Sequence, residues 1–221
     1  VRSDLFKAHE SAHRYFHTVR LGRLEWEPRL EIIDTAARKL GITIDDNSSL
    51  RIARISDGFP HYVHLLCEKL FWLVYEETDD GIVTPDLFQR ALIRASEDME
   101  PQLKMPYERA TRKYTNYYEE ILWAVADHHQ LQRPTTEIFE SYLRIMRTLK
   151  REPLEKKKFY TRMNNLKKES HGNILMGSRA GWYEYREKML RGYARLRAEQ
   201  SGVTLDIEHP LQQRRINRAL A

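Results

Sequence analysis

The sequence predicts a mainly α-helical chain of two units, the second of which is closed by a small β-hairpin. Three observations predict it. Apolar residues recur at three- and four-residue spacing between helix caps and breakers along most of the chain. Gly and Pro number only 9 and 8 in 221 residues and cluster at the boundaries of those periodic segments. Residues 174–185 alone carry two short apolar runs across a Gly-flanked turn, the mark of a hairpin.

The elements follow in order. SDLFKAHESAHRYF, from Ser3, reads as a helix, and HTVRL, residues 17–21, as a short extended piece closed by Gly22. Glu25 to Leu40 places Leu30, Ile33, Ala37 and Leu40 at helical spacing, with Pro28 near its start and Gly41 as its stop. Asp46 or Asn47 caps a short helix through Ile55, and Pro60 opens a long one, HYVHLLCEKLFWLVYEE. Thr84, Pro85 and Asp86 start a helix that buries Leu87, Ala91, Leu92 and Ala95. Pro101 and Pro106, in mixed-charge sequence, mark a linker. Helices over 116–129, 135–149 (with Thr135 and Thr136 as caps) and 154–168 precede the hairpin, and a last helix stops at Gly202.

Composition excludes several classes. With 41% apolar and 31% charged residues the chain is globular rather than disordered. Its most apolar run, Leu65 to Tyr75, is too short to cross a membrane and contains Glu68 and Lys69, so no membrane partner is expected. Cys67 is the sole cysteine; no intrachain disulfide can form, and a reducing, cytoplasmic compartment is expected. The opening at Val1 carries no charged or apolar leader and reads as the start of a fragment.

Charge is unevenly spread. The net charge is +5, yet ten Lys or Arg fall between Arg144 and Lys168 against Glu152 and Glu155. Three helices followed by a hairpin is the order of a winged helix, in which the third helix reads the major groove. On that third helix Phe159, Met163 and Leu166 fall on one side, within about 40° of Phe159, and Lys157, Thr161, Asn164 and Lys168 lie opposite. Lys157 and Lys168 suit phosphates; Thr161, Asn164 and the neighbouring Asn165 suit base edges or backbone; Arg179 at the hairpin tip suits the adjacent minor groove or phosphates. DNA is therefore the expected partner.

HESAH, His9 to His13, also satisfies H-E-x-x-H, the zinc-protease pattern, with Glu31 as a conceivable third ligand. Its polar flanks and the lack of a preceding sheet make this a minor alternative, with His9 and His13 as the metal ligands it would need.

SDGFPHYVHLL, residues 56–66, resembles the lid of AAA+ and STAND ATPases, in which a G-x-P turn approaches the adenine of bound nucleotide. Gly58 and Pro60 match that turn; where initiator-type relatives carry a sensor arginine this chain has His61 and His64. HESAHRYFHTVRLGRLEWEPRLEIID is similar to the end of such an ATPase core, and GWYEYREKMLRGYARLRAEQSG to the wing and closing helix of replication-initiator-like ATPases. The resemblance implies a core end over 1–24, a helical lid over 25–100, a linker over 101–114, a winged helix over 115–202 and a basic tail over 203–221. It also implies ATP with Mg in the full-length protein, contact with its own N-terminal ATPase core, assembly into a homo-oligomer, nucleotide contacts from Gly58, Pro60 and His61, and Arg14 or Arg20 reaching a neighbouring subunit's nucleotide. No Gly is followed by Lys, so this chain has no phosphate-cradling P-loop and is expected not to hydrolyse ATP itself. The alternative implication is a STAND-type signalling or defence ATPase whose winged helix makes protein contacts.

Overall fold

A computed structural model of the chain describes residues 22–112, 117–179 and 181–206. The protein is mainly helical with a small three-stranded antiparallel sheet. The elements are α1 (Trp26–Leu40), α2 (Asp46–Ile55), α3 (Pro60–Glu77), α4 (Pro85–Glu97), α5 (Pro101–Thr111), α6 (Tyr118–Ala126), β1 (Arg133–Pro134), α7 (Thr135–Thr148), α8 (Lys156–Asn165), β2 (Leu175–Arg179), β3 (Trp182–Tyr185) and α9 (Leu190–Gln200). The expected helix from Ser3 and the extended piece at 17–21 lie outside the described residues.

The first four helices form where the periodicity places them. α1 buries Leu30, Ile33 and Ala37 and ends on Gly41 in the left-handed region, φ 68°. The cap of α2 is Asp45 rather than Asp46 or Asn47: its carboxylate accepts from the Ser48 backbone N–H and hydroxyl. α3 opens on Pro60, and α4 is capped by Thr84, whose Oγ1 accepts from the Leu87 N–H. Cys67 is buried on α3, and burial pushes its thiol up to about 12, so it is a small apolar side chain.

The expected linker is instead a packed helix. α5 starts with Pro101 at a position where no intrahelical donor is needed, and Leu103, Tyr107 and Ala110, spaced i, i+4, i+7, are buried. Tertiary burial of that stripe outweighs Pro106 in the helix interior.

Three departures in the second half have a common cause, the demand of tertiary hydrogen bonds. α6 stops at Ala126, before the expected 129, because the carbonyls beyond it are taken by arginines from elsewhere. Thr135 does not cap α7: its hydroxyl donates to the Gly181 carbonyl in the hairpin turn. Arg133–Pro134 pairs with β3 and gives the sheet the order β1-β3-β2. The two-residue strand is too short to show any alternation in the sequence.

Residues 203–206, expected to open a basic tail, are packed: Val203, Leu205 and Asp206 are all buried. α9 packs on α6 and also on α2, α4 and α5, so the two halves share one continuous apolar core.

Candidate functional site

The candidate residues that lie within the described structure fall mainly in two places, the α2–α3 turn and the basic face of α8.

At the turn, Asp57 and Gly58 both adopt positive φ, 50° and 80°. Gly58 is needed for space as well as for conformation: a Cβ there would lie 2.7 Å from the Leu24 carbonyl oxygen and 2.8 Å from Arg29 Nη2. The Leu24 N–H donates to the Gly58 carbonyl at 2.7 Å, and Arg29 ties this approach down through Nε to the Leu24 carbonyl and Nη1 to that of Ala53. Burial lowers Arg29 to about 10.

Asp57 is the centre of a buried ion network. Its Oδ2 accepts from Arg191 Nε at 2.6 Å, and its Oδ1 accepts from Arg23 Nη1 at 2.8 Å and lies 3.2 Å from Arg195 Nη2. Burial opposes the charge on this carboxylate, but Arg191 and Arg195, with Arg23 beyond, outweigh burial and hold it below the usual range. Arg191 and Arg195 lie one turn apart on α9, so both aim at the C-terminal end of α6. Arg191 donates to the Val125 and His128 carbonyls, and Arg195 to those of Ala126, His128 and Arg54. These cations fill orphan acceptors at the negative end of the helix dipole. Arg195 also pairs with Asp206 at 3.2 Å, and the Asp206 N–H donates to Asp127.

The sequence picked out Gly58 and Pro60 in this segment and passed over Asp57, Arg191 and Arg195. Three arginines in LRGYARLR look solvated, and only the tertiary fold shows that two of them are buried.

The residues of the turn fit a nucleotide base in part. Pro60 is exposed and offers a surface, while His61 Nε2 is buried with no hydrogen-bond partner among the described residues, so it would meet a base only if its ring turned outward. Gly58, expected to contact nucleotide, is instead buried with its Cα face closed by Arg23, Leu24 and Arg29. Arg14, Arg20, His9 and His13 lie outside the described residues. Among the described residues no cluster of His, Cys, Asp or Glu has the grouping of a metal site.

No family model matches this chain, and no curated protein or solved structure is significantly similar to it.

On α8, Phe159 and Met163 are fully buried, and Leu166, just past its end, is buried with them. Phe159 packs edge-on to Phe139 at 5.0 Å and against Tyr142 at 5.1 Å, which fixes the helix on its apolar side. Lys157, Thr161 and Asn164 are exposed on the other side; the helix, expected to run to 168, ends at Asn165, so Lys168 is exposed on extended backbone beyond it. The hairpin stands beside this face: Tyr183 on β3 donates to Asn164 Oδ1 at 3.0 Å, and Lys167 Nζ sits 5.1 Å from the Tyr183 ring. Asn165 departs from expectation. It is half-buried, its Nδ2 donates to the Tyr118 hydroxyl, and its Oδ1 accepts from Lys168 Nζ, so its amide is engaged on both sides. Arg179 ends β2 beside Trp182, and its side chain lies outside the described residues.

Proposed function

We propose that this chain is the lid and DNA-binding portion of a nucleotide-dependent ATPase, with residues 118–206 as a winged-helix domain and α8 as its recognition helix. Helix, short strand, two helices, hairpin, with the short strand paired to the second hairpin strand, supports the winged-helix reading. The observation that carries the DNA reading is the exposed row Lys157, Thr161 and Asn164 on α8, continued by exposed Lys168 three residues past its end, opposite the buried Phe159 and Met163. The lid leaves this face open.

In this reading Lys157 and Lys168 neutralise phosphates, Thr161 and Asn164 hydrogen-bond bases or backbone, and Tyr183 holds the Asn164 amide in place. ATP and Mg, bound by an ATPase core, would supply the chemical energy. This chain's own residues offer the base a contact at Pro60 and His61. The α2–α3 turn then passes the nucleotide state to α9 as a shift between domain arrangements.

The test is duplex-DNA binding by fluorescence anisotropy between 50 and 200 mM salt, on the wild type and on Lys157→Glu/Asn164→Ala/Lys168→Glu. Removing two phosphate contacts lowers the salt slope by roughly 2, with affinity falling by at least about tenfold. Unchanged affinity and slope overturn the DNA reading.

The Asp57 network favours a second reading. A STAND-type ATPase holds its winged helix against the nucleotide-binding unit in the resting state, and Arg191 and Arg195 fasten α9 to the lid turn here. In that case α8 meets protein, and the DNA experiment separates the two.

A further inference from the structure

We infer that the lid carries a docking groove for a basic amphipathic helix of a partner protein. This inference rests on the lid alone and is independent of the DNA reading. The groove, of about 1070 Å³, runs between the C-terminal halves of α1 and α3.

Its floor is the buried Cys67, Phe71 and Val74, and three large apolar side chains on its walls are exposed. Leu40 is 64% exposed, Trp72 58% and Tyr75 79%, and the two aromatic rings lie 5.9 Å apart. Scattered apolar side chains on a surface need no explanation, but a contiguous aromatic and aliphatic group along one groove marks a contact site. Trp and Tyr are also the residues that carry most interface energy.

Charge identifies the occupant. Asp79 and Asp80 line the groove against Lys39, with Glu68 there already paired to Lys69 at 2.8 Å. Asp79 and Asp80 have no ion pair among the described residues. α1 and α3 both end at the groove, at Gly41 and Thr78, so the negative ends of two helix dipoles add to the same field. A chain of net charge +5 thus presents a local acidic rim around an apolar floor.

The rim is held in place before any partner arrives. Asp80 Oδ1 accepts from the Ile82 N–H at 3.0 Å. Thr43 clasps the loop, donating to the Gly81 carbonyl and accepting from the Val83 N–H, each at 2.9 Å. A rigid acidic edge beside an open apolar floor is the complement of a helix with aliphatic anchors at i, i+3, i+4 and i+7 and Lys or Arg on its flanks.

The probe is a labelled synthetic helix of about 18 residues with Leu at those positions and Lys elsewhere, compared with its Leu/Glu counterpart. Anisotropy titrations use the whole chain. The Leu/Lys helix should bind at least about tenfold more tightly than the Leu/Glu helix. Trp72→Ala/Tyr75→Ala should weaken it by about tenfold or more. Asp79→Asn/Asp80→Asn, which keeps the acceptor for Ile82, should weaken it several-fold and flatten its salt dependence. All these side chains are exposed, and unchanged thermal unfolding of each variant confirms that only the surface is altered. No binding, equal binding of both helices, or binding indifferent to the aromatic pair overturns the proposal. So does a dimer of this chain in sedimentation that Trp72→Ala/Tyr75→Ala abolishes, since a second copy then occupies the groove.

Discussion

Asp57→Asn tests whether the halves of the molecule are held in register by charge. Asparagine tolerates the left-handed conformation of this position about as well as aspartate, so the substitution removes the charge without straining the backbone. What remains is Arg191, fully buried, with carbonyl acceptors and no carboxylate in its hydrogen bonds; Arg195 keeps Asp206. Breaking a buried pair by deleting one partner costs about 3–5 kcal/mol, because an uncompensated charge stays out of water. For a chain of this size each kcal/mol moves Tm by roughly 2–4 °C, so Tm should fall by roughly 6–20 °C. Urea unfolding followed by tryptophan fluorescence gives the free energy. The decisive measurement is a double-mutant cycle with Arg191→Met: once the orphaned cation is gone the double variant should recover part of the loss, with a coupling of at least about 1 kcal/mol. A loss below about 1 kcal/mol in the single variant, or strict additivity in the cycle, refutes the network as a structural lock.

Three further outcomes follow from particular contacts. Gly192→Ala sets a Cβ 2.2 Å from the ring of Tyr62, which is fully buried and donates its hydroxyl to the Met189 carbonyl; calorimetry should show a loss of about 1–3 kcal/mol, and an unchanged Tm would contradict this packing. Leu205→Ala empties a buried site beyond α9 and should cost about 2–5 kcal/mol in urea unfolding, whereas a neutral result would mean that residues 203–206 do not belong to the core. Burial, aided by His129 and Arg133, lowers His128 to about 4, so the folded state favours its neutral form. Its contribution is complete above the ordinary imidazole pKa near 6.5 and is lost as pH falls from there towards 4. His171, also lowered by burial, acts in the same sense, so the difference between wild type and His128→Gln isolates His128. Tm measured from pH 7.5 to 4.5 should fall less in the variant, and parallel profiles would count against the argument.

Local chemistry along the chain was enough to determine the first four helices, their Pro and Gly boundaries, the hairpin and the two faces of α8. Each of these depends on contacts within a few residues: a cap, a turn residue, or apolar side chains repeating at 3.6. Gly41, Pro60 and Thr84 act in the structure through neighbours close in sequence. The tertiary structure decided what required partners far along the chain. Pro101–Thr111 is helical because its apolar stripe has somewhere to pack, and Arg133–Pro134 is a strand because β3 lies beside it. Asn165 is drawn off the basic face by Tyr118, 47 residues away. Asp57, 134 residues from Arg191, reads in the sequence as a solvated turn residue. Only burial beside three arginines turns it into the point that joins the halves, because a charge acquires that much leverage only where water has been excluded.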